Sequence, residues 1–87
     1  MIGNVLQLLD EHGQLQAPAR VLKSDADLYA AGLTPFAAIR LMIALERNFE
    51  ITFKQRMLHR QSFSSIDSIV ACLNELKPPD QRQLKAA

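Results

Sequence analysis

Residues 27–51 read Asp-Leu-Tyr-Ala-Ala-Gly-Leu-Thr-Pro-Phe-Ala-Ala-Ile-Arg-Leu-Met-Ile-Ala-Leu-Glu-Arg-Asn-Phe-Glu-Ile. A loop turns into a helix inside this stretch, and the residues at the junction say where. Thr34 is a suitable N-cap, because its side-chain oxygen can accept from an orphan amide of the first turn. Pro35 follows at the first helical position, where its fixed φ suits the helix and its missing N–H costs nothing. Gly32, Thr34 and Pro35 together form a strong start signal. Beyond it, Phe36, Ile39, Met42, Ile43, Leu45 and Phe49 form a broad apolar face on a helix expected to be long.

Outward from that helix, the N-terminal side predicts a first helix over about Ile2 to His12. Ile2, Val5, Leu6 and Leu9 recur at the spacing of one helical face, and Gly13 is expected to supply the left-handed residue that closes it. Residues 14 to 33 read as a long loop broken by Pro18. Leu15, Val21, Leu22, Leu28 and Leu33 are its expected anchors, and Asp25 to Leu28 form a short turn. On the C-terminal side, Ile51-Thr-Phe is a short extended link and Lys54 to His59 a brief third helix holding Met57 and Leu58. A fourth helix is expected from Ser64, with Ser64 and Asp67 as a capping-box-like pair. Ile66, Ile69, Val70, Leu73 and Leu76 form its inner face, and Lys77-Pro-Pro ends it. The expected core is Leu33, Phe36, Ile39, Ile43, Ile66, Ile69 and Leu73. The reading is therefore an all-α, four-helix domain over residues 1–77 with a polar, frayed tail over 78–87.

Composition narrows the function. With 87 residues, 48% of them hydrophobic, the chain suits one small packed domain. A net charge of +1 gives no basic field of the kind that draws nucleic acid. Cys72, the single cysteine, excludes an internal disulfide and fits a reducing compartment. No apolar run approaches the roughly 20 residues that span a bilayer. The start, Met-Ile-Gly-Asn, lacks the basic region of a signal peptide, so the expected location is cytoplasmic. The two histidines, His12 and His59, have no cysteine or carboxylate at metal-ligand spacing, and nothing supports a Ser-His-Asp or Cys-His arrangement. The chain is expected to be neither a metal protein nor an enzyme.

The stretch from Asp27 to Ile51 resembles the central motif of acyl carrier proteins, roughly Asp-Leu-x-x-x-Gly-Leu-Asp-Ser-Leu followed by an apolar helix ending Leu-Glu-x-x-Phe-x-Ile. Helix order and spacing match over about residues 2–77, a four-helix bundle with a long first loop and a short third helix. Phe36 and the segment Arg56-Met-Leu-x-Arg-x-Ser-Phe-x-Ser-Ile66 look most like the small stand-alone carriers that accept an amino acid from a synthetase-like ligase. In such a family the serine bears a 4'-phosphopantetheine arm that holds cargo as a thioester. The resemblance places Pro35 at that serine. Proline has no hydroxyl, and Thr34 beside it is hindered and engaged as a cap, so attachment by the family's route is not expected in this chain.

The resemblance implies a carrier-protein-dependent ligase, or an acyl or aminoacyl transferase, as partner. It puts the contact surface at Thr34, Phe36, Arg40, Arg47, Met57, His59 and Arg60. The alternative is a degenerate carrier acting as a non-catalytic interaction module. Arg40, Arg47, Lys54, Arg56, His59 and Arg60 form a positive series where carriers usually present acidic groups. That series is either a docking surface selective for an acidic partner or simply a solvated helix face. Met42, Met57, Phe36, Phe49, Phe53 and Phe63 are expected to fill the core, and Cys72 to sit partly buried on a helix.

Overall fold

A computed structural model describes residues 2–76, and within them all regular structure is helical. Helix α1 spans Ile2–His12, α2 spans Pro35–Phe49 and α3 spans Ile66–Leu76. Three 3-10 turns connect them: Ala19–Val21, Gln55–Met57 and Arg60–Phe63. Helix α1 packs on both α2 and α3, and the Arg60–Phe63 turn packs on α3. The fold is the all-α arrangement expected. The place of a third helix over Lys54 to His59 is taken by the 3-10 turn Gln55–Met57, and Leu58 and His59 link it to the second turn, Arg60–Phe63. The expected end at Lys77-Pro-Pro and the tail over 78–87 lie outside the described residues.

The junction at α2 forms as its residues dictate. Thr34 is extended (φ −90°, ψ 159°) and its Oγ1 accepts from the Ala37 amide at 3.0 Å, with Pro35 at the first helical position. The loop before it is shaped by three residues. Asp27 Oδ1 accepts from the Tyr29 amide at 3.0 Å, an Asx turn. Leu28 is fully buried, and its amide donates to the Ser64 carbonyl at 2.7 Å. Gly32 has φ +116°, where a side chain would be strained. At the far end of α2, Glu50 adopts the left-handed conformation and Glu46 Oε2 accepts from the Phe53 amide at 2.9 Å, so Glu46 sets the exit direction of the chain.

The core is centred on Val5, Leu9, Leu28, Leu41, Leu45, Ile69 and Leu73, all essentially inaccessible to solvent. Leu33 and Ile66 are buried as expected, but Phe36, Ile39 and Ile43 are not, at 67%, 53% and 41% exposure. The physical reason is rotation of α2. Its inward line is Ala37, Ala38, Leu41 and Leu45, because small residues at 37 and 38 let the start of the helix approach its neighbours. In α1 the inner line is Val5, Leu8 and Leu9, while Ile2 is exposed. Among the loop anchors, Val21 is exposed and its neighbour Ala19 is buried instead. The Ala19 amide donates to Asp10 Oδ1 at 2.7 Å, which pins the loop to α1.

Two caps differ from expectation. Gln14, not Gly13, occupies the left-handed region, with φ 55°. Gly13 is required for space: a Cβ there would lie 2.7 Å from the Leu9 carbonyl oxygen. At α3 the cap is Ser65, whose Oγ accepts from the Ser68 amide at 3.0 Å. Ser64 Oγ instead donates to the Gln61 carbonyl, and the Asp67 amide donates to Ser24 O, so the Ser64–Asp67 capping box does not form.

Candidate functional site

Pro35 is exposed at the first turn of α2, on the rim of an apolar cleft of about 370 Å3. The cleft lies between α2 and the two 3-10 turns, with Ile39 and Met42 on one wall and Leu58 and Phe63 on the other. Phe63 is itself fixed by an edge-on contact with Phe53, ring centroids 5.5 Å apart. Tyr29, His59 and Arg60 form the polar part of its lining. Arg60 lies over the Tyr29 ring, 3.9 Å from its centroid. Burial lifts the Tyr29 phenol above its ordinary value, the Arg60 charge opposes that rise, and Asp27 adds to it.

Most of the expected contact residues fall into two groups. His59 and Arg60 meet Pro35 around the cleft. Arg40 and Arg47 line a second groove, between α1 and α2, which includes Leu8 and His12. Arg40 also stacks over the Phe36 ring at 4.9 Å. Met57 belongs to neither group: only 3% of it is exposed, because its 3-10 turn points it into the core, so it cannot serve as a surface contact. The positive series also loses Arg56, which pairs with Glu75 of α3. Cys72 is half-buried, as expected.

Sequence reasoning named Phe36 both as core and as contact, but missed that Ile39 and Ile43 continue its exposed face of α2, and missed Leu58 beside it at 49% exposure. A signal was present. Leu41 and Leu45 are separated by one turn and preceded by Ala37, and that line competes with the Ile39–Ile43 line for the core. No group of three or more histidine, cysteine, aspartate or glutamate side chains could hold a metal among the described residues. No helix of the described residues is long and apolar enough to cross a membrane.

The residues present do not fit a covalent phosphopantetheine arm at position 35. A phosphodiester needs a hydroxyl oxygen, and the Pro35 ring has none. The neighbouring hydroxyl, on Thr34, is turned toward the Ala37 amide that it caps.

A family model described as the phosphopantetheine attachment site matches residues 12–73. The chain is 42% identical over 69 residues to an aminoacyl carrier protein of Agrobacterium fabrum, covering 79% of this chain and 83% of that one. Two solved complexes of an engineered Bradyrhizobium japonicum glycine:[carrier protein] ligase with a carrier protein from Agrobacterium tumefaciens contain a similar chain. In the complex with AMP the similarity is 40% identity with a TM-score of 0.81, over 84% of this chain and 97% of that one. In the complex with ATP it is 37% identity with a TM-score of 0.83, over 86% and 97%. The motif from Asp27 to Ile51, the cap-and-turn geometry that it builds and these likenesses agree: the chain belongs to the phosphopantetheine-attachment family of carrier proteins, whose members carry rather than catalyse.

Proposed function

We propose that this protein is an aminoacyl-carrier-type member of its family that docks on a carrier-dependent ligase or transferase, and that with Pro35 it does not itself bear the phosphopantetheine arm. The observation that carries the reading is the position of Pro35. It stands exposed at the start of α2, beside the apolar cleft, where the family's attachment serine is expected. The relatives bound to a glycine:[carrier protein] ligase support an amino-acid ligase as the partner class. The contact surface is the exposed rim at Thr34, Phe36, Ile39, Leu58, His59 and Arg60, with Arg40 and Arg47 further along α2. Such a surface joins apolar anchors to cationic groups, the composition that makes a small interface specific. The carrier unit is residues 1–77, in line with the family match over 12–73. Its lone cysteine suits a reducing, cytoplasmic setting.

A second reading, a non-catalytic interaction module without cargo, is favoured by the same missing hydroxyl. The missing attachment that both readings share is tested by intact mass after incubation with coenzyme A and a promiscuous phosphopantetheinyl transferase, and the two are separated by whether the chain binds a carrier-dependent ligase. The chain is expected to show no gain, and Pro35→Ser to gain the mass of the arm. A gain by the unaltered chain would overturn the proposal and direct mapping to Thr34.

A further inference from the structure

The groove between α1 and α2 lies on a different face of α2 from the Pro35 cleft and has its own chemistry. Leu8, Ile43 and Ala44 give it an apolar floor, and Arg40, Arg47 and His12 supply cationic or titratable groups. Asn48 completes the lining, so no carboxylate is among the residues that form it. Glu11, next to His12, is engaged with Gln7 and lies 3.9 Å from His12. Neither Arg40 nor Arg47 makes an ion pair among the described residues, in a chain whose net charge is only +1. The groove thus concentrates unneutralised positive charge beside an exposed isoleucine.

Arg40, Ile43 and Arg47 follow the i, i+3, i+7 pattern, so they share one stripe of α2. The two arginines are about 10.5 Å apart along the axis, from seven residues at about 1.5 Å each. A helix laid along the groove would match this with two carboxylates seven residues apart and one apolar residue between them. Helices pack at about 8–10 Å between axes, and the groove lies between two helices, α1 and α2, that pack on each other. We propose that the α1–α2 groove, which carries the Arg40 and Arg47 part of the contact surface, is a docking site for an acidic helix of the partner protein, read as Glu or Asp at i and i+7 with an aliphatic side chain at i+3 or i+4, an inference that rests on the docking reading above.

The test uses the full chain labelled with nitrogen-15 and a lactam-stapled helical peptide with glutamates seven residues apart around one leucine. The control is the same peptide with both glutamates replaced by glutamine. Amide shifts are expected at Leu8, His12, Ile43, Ala44 and Asn48, and not at Tyr29, Leu58 or Phe63. Two solvent-facing ion pairs are expected to make Arg40→Gln with Arg47→Gln bind on the order of fivefold more weakly, and raising salt should weaken the parent in the same sense. Both positions are exposed, so the variant should keep the parent's circular dichroism spectrum. Equal binding of the glutamine peptide, shifts centred on the Pro35 cleft, or no shifts at millimolar peptide would each overturn the proposal. So would shifts at the groove that appear on concentrating the free protein, which would make the occupant a second copy.

Discussion

The Arg60 guanidinium lies 3.9 Å from the centre of the Tyr29 ring, while the Tyr29 hydroxyl donates to the Arg60 backbone carbonyl at 3.1 Å. One residue of the loop before α2 and one of the turn before α3 thus hold each other twice. The Leu28–Ser64 and Asp67–Ser24 backbone bonds lie along the same seam. Tyr29→Phe removes the hydrogen bond but keeps the ring under the guanidinium. It should cost about 0.5–1.5 kcal/mol in urea melts. Tyr29→Ala loses both and should also speed hydrogen exchange at the Leu28 amide.

Tyr29 also predicts an alkaline response. Its phenol is held above its ordinary value chiefly by burial. A folded-state value above the unfolded one contributes stability that is complete below about pH 10 and lost as pH rises through the folded value. Stability should therefore fall above about pH 10, and Tyr29→Phe should flatten that fall. Tyr29 is the chain's single tyrosine, so absorbance of the phenolate reads this group alone. A midpoint at or below the value for free tyrosine would contradict the structure.

The core makes a sharper contrast. Leu41 is fully buried and Ile39 is 53% exposed, two residues apart on the same helix. Leu41→Ala should cost about 2–5 kcal/mol, as should Leu73→Ala, because each leaves a cavity. Ile39→Ala should cost less than about 1 kcal/mol, since its side chain already faces water. Comparable losses at 39 and 41 in denaturant melts would mean that α2 is rotated from the orientation described.

That contrast shows what the chain made readable. Thr34 and Pro35 fix the start of α2 through local chemistry alone, so the start was legible. The inward face of α2 was not, because Ile39 and Ile43 compete on hydrophobicity with Ala37, Ala38 and Leu41. The decision belongs to shape: α2 approaches its neighbours where the side chains are small, and its larger aliphatics are left outside. Met57 illustrates the same limit. Its apolar side chain suggested core and its place beside cationic residues suggested a contact, and only the tertiary turn decides for the core. The place of Pro35 at the start of α2 was readable from the sequence, but the cleft beside it required Leu58 and Phe63, which come from a segment 23 to 28 residues further along the chain.

Gly13 gives a prediction with a defined cause. Its added Cβ would lie 2.7 Å from the Leu9 carbonyl oxygen, a backbone atom that cannot swing aside. Gly13→Ala should destabilise by about 1–3 kcal/mol, the usual scale of overpacking. Gln14→Gly should be neutral or mildly stabilising, because it relieves a left-handed conformation at φ 55° while adding chain entropy to the unfolded state. If alanine at 13 were tolerated and glycine at 14 strongly stabilising, the left-handed residue would be the dominant constraint and crowding at Leu9 would not matter.

Thr34 and Pro35 divide the labour at the start of α2, and a pair of variants separates their roles. Thr34 Oγ1 accepts from the Ala37 amide at 3.0 Å, so Thr34→Ala should cost about 1 kcal/mol of stability. Pro35→Ser keeps a residue compatible with the first helical turn and introduces a primary hydroxyl at an exposed position. The double variant Thr34→Ala with Pro35→Ser should therefore melt earlier than Pro35→Ser alone, yet gain the mass of the arm with coenzyme A and transferase. Thr34→Ala by itself should gain none. If the double variant folded but failed to be modified, the Thr34 hydroxyl would be a required part of the attachment site rather than a cap. If the parent and not Thr34→Ala were modified, Thr34 would be the nucleophile, and the assignment of the attachment position to residue 35 would fall.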